Sequence, residues 1–315
     1  MKKLTEMIDF ESFPDRDYKK RNPKSQVAEP FVQWVGGKRQ LIAEYEKHFP
    51  KNFGNYHEPF AGGAAVFYWL QSKYGESKKY YLTDMNKELI LTYSVVRDYP
   101  EQVAELLEKM SEKHSKEFFY EVRNIDRQKV PDKNRYTKTM EVCEELEPIS
   151  VAARFLYLNK TCYNALYRVN SENLFNVPVG KSLKKDLRDN GRLLACSRVF
   201  DTTKFSYGDY SRTLSEARPG DLVYFDPPYE PISDTSDFTS YTTEGFSFED
   251  QEKLKHAFDI LAKRGVFVAL SNSNSPKILE LYKQYNIEQF GANRCVNSDK
   301  SKRKGSVTEI LVKSW

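Results

Sequence analysis

The stretch Asp221-Leu222-Val223-Tyr224-Phe225-Asp226-Pro227-Pro228-Tyr229 decides the fold and carries the strongest functional signal in the chain. Residues 221–225, Asp221 followed by four apolar residues, are typical of a strand covered on both faces of a parallel sheet. In open α/β sheets, ligands bind outside the carboxyl ends of the strands, and residues 226–229 lie there. Two prolines make the turn stiff and remove two backbone donors, so it presents carbonyl groups. An acid, a bare carbonyl and an aromatic face can together hold a planar amine; the alternative is a Pro-Pro turn with an N-terminal Asp.

The segments around this strand alternate between strand-like and helical patterns. Residues 79–83 predict a strand that ends at Asp84, and residues 266–270 form a second continuous apolar run. The helical spacing before that second run is carried by Leu254, Ala257, Phe258 and Leu261. This alternation predicts an α/β layer architecture with a mostly parallel sheet. Residues 286–315 predict two further strands around a basic turn.

Length and composition exclude several classes of protein. The chain has 315 residues, and its 49 Lys and Arg against 45 Asp and Glu give a mild net charge of +4. A hydrophobic fraction of 39% supports a sizeable core and disfavours disorder. No apolar run approaches the roughly 18 residues of a transmembrane helix or forms a secretory segment. The four cysteines, 143, 162, 196 and 295, form no C-x-x-C pair, which argues against disulfides and zinc. We therefore predict an intracellular, cytoplasmic protein with no membrane segment and no metal.

Charge patterning divides the chain. Residues 1–29 are charged and aperiodic, and they predict an N-terminal extension. The helical pattern at 98–150 has 13 acidic and 9 basic residues, whereas 160–204 has 4 acidic and 9 basic residues. This change predicts a mostly helical insertion at 97–194 that ends in a basic, loop-rich segment. The insertion interrupts an α/β domain made of residues 30–96 and 195–315.

Two glycine turns and one acid predict a nucleotide site. Glu58-Pro59-Phe60-Ala61-Gly62-Gly63-Ala64 places glycines where backbone can approach a ligand closely, and Asp84 follows Gly63 by 21 residues. At that spacing, α/β nucleotide binders place an acid on ribose hydroxyls. Asp84 could instead cap a helix that begins near Lys87. Trp34-Val35-Gly36-Gly37-Lys38 gives a second such turn, whose lysine can neutralise a carboxylate or lie in solvent. There is no G-x-G-x-x-G, which disfavours a nicotinamide dehydrogenase.

The basic segment carries side chains that suit nucleic acid. Residues 164–170, Asn-Ala-Leu-Tyr-Arg-Val-Asn, and 176–180, Asn-Val-Pro-Val-Gly, combine the Asn and Arg that read purine edges with nearby phosphate-binding cations. The alternative is a solvated basic loop. A second basic cluster is either a generic phosphate contact or an exposed turn; it consists of Lys300, Lys302, Arg303 and Lys304.

Taken together, these segments resemble the Dam-type DNA adenine-N6 methyltransferases, the α-class or D12 enzymes, close to their Gram-positive GATC-modifying members. The resemblance runs from about Phe31 onward and keeps the family order of motifs: W-x-G-G-K at 34–38, P-F-x-G-G at 59–63, T-D-M-N at 83–86, G-D-Y at 208–210 and D-P-P-Y at 226–229. Residues 154–159 and 238–248 also look like the family. The fold it implies is the Rossmann-like sheet of S-adenosylmethionine-dependent methyltransferases, with helices on both faces and an inserted, mostly helical target-recognition domain with a hairpin.

The resemblance also implies residue roles, with S-adenosylmethionine as cofactor. Asp84 would take its ribose hydroxyls, Asp209 and Tyr210 its adenine, and residues 60–63 its methionine end. The catalytic turn would be Asp226, Pro227, Pro228 and Tyr229, which accepts the target amine and stacks on a flipped-out adenine. The full cofactor set implied is Trp34, Lys38, Phe60, Ala61, Gly62, Gly63, Asp84, Asp209, Tyr210 and Asp226. The polar stretch 230–245, with Phe238 and Tyr241, would form a lid or a DNA-contacting loop.

Double-stranded DNA is the implied partner, read at GATC. The predicted DNA-binding residues are Gln33, Asn164, Leu166, Arg168, Asn170 and Pro178. Two positions depart from the family pattern: Ala165 stands where Gly is usual, and Gln33 where a base-reading Lys is usual. A cognate restriction endonuclease acting on the same site is a possible companion. Two alternatives remain: an RNA or protein amide methyltransferase, which the insertion before Asp209 disfavours, and a non-catalytic DNA-binding regulator, which the intact 226–229 turn disfavours.

Overall fold

The computed structural model describes residues 27–127, 147–170, 174–181, 187, 191–232, 246–292 and 307–315. Several predictions fall outside these residues: most of the extension at 1–29, the segment 233–245 of the proposed lid with Phe238 and Tyr241, and the basic cluster at 300–304. The chain divides into two compact units, the first formed by Met1–Trp34 and Asn86–Asp201, the second by Val35–Met85 and Thr202–Trp315. The predicted insertion at 97–194 lies within the first unit, which also contains 86–96 and 195–201.

The second unit is built on a seven-stranded sheet in the order β3-β2-β1-β4-β5-β7-β6. Its strands are β1 (Tyr56–Glu58), β2 (Tyr80–Asp84), β3 (Thr203–Tyr207), β4 (Leu222–Phe225), β5 (Phe267–Ser273), β6 (Asn286–Ala292) and β7 (Val307–Lys313). The first five strands pair in parallel, whereas β7 is antiparallel to both β5 and β6. This confirms the predicted α/β fold, its mostly parallel sheet and the two C-terminal strands. β5 is longer than the predicted run, because the polar residues 271–273 continue the strand.

Helices cover both faces of this sheet, as predicted. The helices of the unit are α1 (Ile42–His48), α2 (Ala65–Tyr74), α8 (Arg212–Glu216), α9 (Phe248–Lys263) and α10 (Pro276–Leu281), with 3₁₀ turns at Lys38–Leu41 and Gly75–Ser77. On one face, Val223 and Phe225 pack against Leu254 and Phe258 of α9. On the other, Tyr224 packs edge-on against Tyr45 of α1 at 5.8 Å. The alternation of β4 side chains, with period two, therefore produces two separate cores.

The order of the strands indicates where a ligand is expected to bind. From β1 the chain proceeds outward to β2 and β3, while β4 pairs with the other side of β1 and is followed by β5. The order therefore reverses between β1 and β4, and ligands in such sheets bind at the carboxyl ends beside this switch point. Residues 59–63 follow β1 and residues 226–229 follow β4, so both predicted motifs lie at this edge.

The first unit is mostly helical, as the pattern predicted. It contains α3 (Lys87–Asp98), α4 (Pro100–Glu112), α5 (Lys116–Arg123), α6 (Pro148–Thr161) and α7 (Arg192–Val199), with 3₁₀ turns at Asn124–Arg127, Tyr163–Ala165 and Phe200–Thr202. Local caps fix their starts: the Asn86 side chain accepts a hydrogen bond from Leu89 N, and Pro100 occupies the first turn of α4. α6 is buried almost all round, so it forms the centre of this unit.

A hairpin follows α6, as predicted. Antiparallel bridges join Cys162 to Val179 and Val169 to Phe175. Backbone hydrogen bonds run from Asn176 N to Arg168 O at 3.1 Å and from Tyr163 N to Pro178 O at 2.9 Å. These bonds hold the two arms together on either side of residues 171–173. Among the described residues, no helix is long and apolar enough to cross a membrane.

Candidate active site

Asp226 is held at the end of β4 by two groups of its own chain. The Lys38 Nζ lies 2.8 Å from Asp226 Oδ1, and the Ser271 hydroxyl donates to the same oxygen at 2.9 Å. No residue that the structure describes donates a hydrogen bond to Oδ2 of Asp226. The carboxylate is therefore oriented through one oxygen, and the other stays available to accept a hydrogen bond.

Lys38 is buried although it carries a charge. Its ammonium contacts the Gly36 carbonyl oxygen at 2.6 Å and lies 3.7 Å from Glu309 Oε1 and 4.9 Å from the Tyr229 ring centroid. Burial alone lowers the pKa of Lys38, but the Asp226 and Glu309 carboxylates outweigh it and raise the pKa above its usual value. Lys38 therefore carries its charge at neutral pH and pairs with the Asp226 carboxylate, a partner that the sequence did not identify.

Tyr229 is fixed at both ends. Its ring follows the two prolines, and its hydroxyl donates to Glu309 Oε1 at 2.6 Å. Burial, together with the negative charges of Asp226 and Glu309, raises the pKa of Tyr229 well above its usual value, so the phenol keeps its proton. The hydroxyl is used for positioning, and the ring face is the part that can contact a substrate.

The turn after β1 is held against the end of β2. Ala61 N donates to Thr83 O at 3.0 Å, and Gly62 N donates to Asp84 Oδ2 at 2.9 Å. Gly62 has φ +45°, a conformation that glycine adopts at low cost. Asn86, not Asp84, caps the helix that begins at Lys87, so the capping alternative for Asp84 is wrong. The acid instead orients the glycine turn from the end of its strand.

Glu58, the last residue of β1, supports the same turn from below. It accepts hydrogen bonds from the Tyr56 hydroxyl at 2.9 Å and from Phe67 N at 3.0 Å. Burial raises the pKa of Glu58 to about 8. The carboxyl therefore ties the start of α2 to β1, and it binds its proton near neutral pH.

Aromatic rings line the far side of the crevice. Phe60 stacks on Tyr210 with 5.7 Å between ring centroids, and it contacts Phe225 and Phe246 edge-on. Asp209, which follows β3, accepts a hydrogen bond from Ser211 N at 2.7 Å and so shapes the turn that carries Tyr210. Carboxylates at strand ends suit a ribose, and apolar rings suit an adenine. The carboxylate acceptors and the aromatic rings therefore fit S-adenosylmethionine.

The predicted DNA-binding residues lie in the first unit. Asn159 exchanges two hydrogen bonds with the Gln33 backbone, accepting from N at 2.9 Å and donating to O at 2.7 Å, which leaves the Gln33 side chain exposed. Trp34, predicted for the cofactor, also belongs to this unit, where its ring stacks on Tyr167 at 5.7 Å. Arg168 donates from Nε to Asn176 Oδ1 at 2.9 Å, and both residues lie on the hairpin.

The 3₁₀ turn at the start of the first hairpin arm contains one of the two positions that depart from the expected pattern. Asn164 and Ala165 have φ +55° and +52°, the left-handed region that favours glycine. Ala165 therefore keeps the turn that glycine would form, at a small cost in strain, and the turn itself is retained. Asn164 is exposed, Leu166 is half-buried, and Pro178 is exposed, while the Asn170 side chain accepts from Leu174 N at 2.9 Å.

Sequence reasoning missed a buried ionic cluster beneath the hairpin. The Arg154 guanidinium lies 3.1 Å from Glu88 Oε1 and 2.8 Å from Asp126 Oδ2, and it also donates to the Val122 carbonyl. The Tyr167 hydroxyl donates to Glu88 Oε2 at 2.8 Å. The cluster thus links three helical segments to the hairpin arm that carries Leu166 and Arg168. The sequence signal for this cluster was Arg154 itself, a charged residue inside the apolar run 148–158.

Glu309 and Ser271 were missed for a similar reason. Both lie on strands beside a run of buried apolar residues, 268–270 and 310–312, yet both direct polar atoms to residues 226–229. A buried acid in Glu309-Ile310-Leu311-Val312 was a usable signal. No group of three or more potential metal-binding side chains occurs among the residues described.

Comparison with known proteins gives matches over most of the chain. A family model described as D12 class N6 adenine-specific DNA methyltransferase matches residues 34–295. The type II methyltransferase M1.LlaDCHI of Lactococcus lactis subsp. cremoris is 41% identical over 288 residues, which cover 91% of this chain and 95% of the relative. M.MjaIII of Methanocaldococcus jannaschii, also a type II methyltransferase, is 36% identical over 91% of this chain and 99% of its own length. The DNA adenine methylase of Escherichia coli K12 is 30% identical over 89% of this chain and 93% of its own length.

Proposed function

Because the chain belongs to the D12 class of N6 adenine-specific DNA methyltransferases, we propose that it methylates the adenine of GATC in double-stranded DNA. Its methyl donor is S-adenosylmethionine, as the methyltransferase family implies. The observation that carries the proposal is the Asp226 carboxylate, oriented at the switch point through Oδ1 by Lys38 and Ser271.

The proposed chemistry uses Asp226 and the turn after it. An adenine amine is a poor nucleophile because its lone pair is delocalised into the ring. If Asp226 Oδ2 and the Pro227 carbonyl oxygen accept its two N–H groups, the nitrogen becomes pyramidal and its lone pair can point at an electrophile. S-adenosylmethionine supplies that electrophile as a sulfonium-bound methyl group. Positioning and fixed charges then account for the rate, and Pro228 keeps the turn rigid.

Tyr229 would hold the target base by stacking. Reaching the amine requires the adenine to leave the duplex, which costs a few kcal/mol of lost stacking and pairing. The bond between the Tyr229 hydroxyl and Glu309 fixes the ring before the base arrives, so little ordering is needed on binding. This pre-organisation supports the stacking role.

The cofactor contacts are proposed from the chemistry of the same edge of the sheet. Asp84 would bind the ribose hydroxyls, and Phe60, Asp209 and Tyr210 would surround the adenine. The backbone of 61–63 would approach the methionine end. Trp34 and Lys38 stay predictions as cofactor ligands; for Lys38, the ion pair with Asp226 supports a role in holding the catalytic acid.

GATC recognition is proposed for the hairpin. The bond from Arg168 Nε to Asn176 fixes the guanidinium, and neither Nη atom has a hydrogen-bond partner within the described part of the chain. This geometry suits a bidentate contact with guanine O6 and N7. The other proposed DNA contacts come from Gln33, Asn164, Leu166, Asn170 and Pro178. A companion restriction endonuclease stays a prediction.

The test is methylation mapping. Unmethylated plasmid is incubated with S-adenosylmethionine and either the wild-type protein or Asp226→Ala, and N6-methyladenine is located by sequencing. We expect modification confined to GATC with the wild type, and none with the variant. Modification at another adenine site would refute the GATC assignment and keep the chemistry. Methylation of RNA or protein but not DNA would refute the proposal as a whole.

A further inference from the structure

Glu309 lies outside every motif considered above. It is on β7, opposite Ser273 of β5, and its side chain is only 11% exposed. It points to the same face of the sheet as Tyr45 and Tyr224, beneath the catalytic turn. A buried acid at this position needs polar partners, because an unpaired buried charge is costly.

Three groups surround the Glu309 carboxylate. The Tyr229 and Tyr45 hydroxyls donate to Oε1 at 2.6 and 3.0 Å, and Lys38 Nζ lies 3.7 Å from the same oxygen. Two of these groups, Tyr229 and Lys38, contact the proposed adenine site directly or through Asp226. One carboxylate thus links the stacking ring to the cation that holds the catalytic acid.

The contacts close into a ring. From Glu309 they run to the Tyr45 hydroxyl, to the Tyr224 hydroxyl at 3.4 Å, and to Ser271 Oγ at 2.7 Å. Ser271 then contacts Asp226 at 2.9 Å, Asp226 contacts Lys38 at 2.8 Å, and Lys38 returns to Glu309. Asp226 is a member of this ring, and Tyr229 is attached to it through its bond to Glu309, so the Glu309 carboxylate is connected to both residues.

We propose that Glu309 is a positioning residue for methyl transfer, setting the Tyr229 ring and the Lys38–Asp226 pair in the geometry that the target amine needs. The inference rests on the proposed function. Glu309 acts only through these residues, and its loss frees the Tyr229 ring and removes one of the two carboxylates that balance Lys38. The chemical step should therefore slow, while the affinities for DNA and S-adenosylmethionine stay unchanged.

The test compares single-turnover methylation of a GATC duplex by four variants. Glu309→Ala removes every contact of the carboxylate, and Glu309→Gln keeps an oxygen acceptor without the charge. Tyr229→Phe removes only the hydroxyl that donates a hydrogen bond to Glu309. The fourth is the double variant Glu309→Ala/Tyr229→Phe. Glu288→Gln is the matched control, since Glu288 lies on the adjacent strand β6 and pairs with Lys313 at 3.0 Å. For each protein, the urea midpoint of unfolding and the dissociation constants for DNA and for S-adenosylmethionine are measured as well.

We expect Glu309→Ala to lower the single-turnover rate about tenfold or more, with dissociation constants within about twofold of wild type. Glu309→Gln should recover part of the rate. The double variant should be no slower than the slower single variant, because Glu309→Ala already breaks the Tyr229–Glu309 bond that Tyr229→Phe removes. Glu288→Gln should match the wild type. If Glu309→Ala does not fold, Glu309→Gln and Tyr229→Phe still decide.

Three results would overturn the inference: a wild-type rate in every Glu309 single variant that folds, losses that multiply in the double variant, or an equal loss in Glu288→Gln. Failure of the proposed function looks different, because the wild-type protein itself would then leave the duplex unmodified.

Discussion

Replacing Arg154 by Met should destabilise the first unit far more than the loss of an ordinary ion pair. Arg154 is 1% exposed, and its guanidinium lies within 3.1 Å of both Glu88 and Asp126. Methionine fills much of the aliphatic volume, so the main effect is that two buried carboxylates lose their cation. The Val122 and Arg123 carbonyls also lose a donor.

The size of the expected loss in free energy of unfolding follows from the burial of the ion pair. Breaking a buried ion pair by removing one partner costs about 3–5 kcal/mol, because the remaining charge is left uncompensated. Lys109→Met is the control in the same unit, since Lys109 pairs with Glu105 at 3.1 Å but the two side chains are 33% and 50% exposed. Exposed pairs of this kind contribute at most about 1 kcal/mol. The two variants should therefore differ by at least about 2 kcal/mol in the free energy of unfolding.

Urea unfolding followed by Trp34 fluorescence measures this difference. Trp34 stacks on Tyr167 within the first unit, and Trp69→Phe with Trp315→Phe would leave it as the sole tryptophan of the three. An Arg154→Met protein whose free energy of unfolding is within about 1 kcal/mol of that of Lys109→Met would refute the conclusion that this buried ionic cluster stabilises the unit. Since Tyr167 bonds to Glu88, the same variant should also lose discrimination between GATC and other adenine sites.

Three further outcomes are expected. Asp226→Ala should abolish methyl transfer while DNA binding, measured by fluorescence anisotropy, stays within a few-fold; near-normal turnover would rule out its role. Arg168→Ala should cost about 1–3 kcal/mol and relax one base position, whereas a uniform loss on all DNA sequences would make it a phosphate contact. Because the folded-state pKa of Glu58 is raised from 4.5 to about 8, its contribution to stability is complete below pH 4.5 and is lost as the pH rises to about 8. Glu58→Gln, which keeps the acceptor, should therefore show a smaller fall in urea midpoint between pH 5 and pH 8 than the wild type, and an unchanged fall would contradict the shift.

The sheet was predictable because its signals are local. A strand buried on both faces is apolar throughout, so β4 and the start of β5 are visible in sequence, and the prolines mark the end of β4. The end of β5 was not visible, since Ser271, Asn272 and Ser273 are polar and only their hydrogen bonds explain their burial. The apolar first half of β5 could therefore be predicted from the sequence, whereas its polar second half could not.

The supporting contacts of the site were beyond sequence reasoning because they join residues far apart in the chain. Lys38 has glycines before it, which indicated a ligand-facing turn but not that its partner is Asp226, 188 positions later. Arg154 and Glu88 are 66 residues apart, and no periodicity connects them. Patterns identify which residues are unusual, whereas the fold determines which of them meet.

β7 is the last strand along the chain, and yet it lies between β5 and β6. During synthesis, β5 and β6 therefore leave the ribosome with a gap between them, and β6 has no neighbour in the sheet until residues 307–313 arrive. Glu309 enters with that strand, so the ring of contacts beneath residues 226–229 closes only once β7 has joined the sheet. A growing chain that has not yet inserted β7 therefore lacks the Glu309 contact that fixes the Tyr229 hydroxyl.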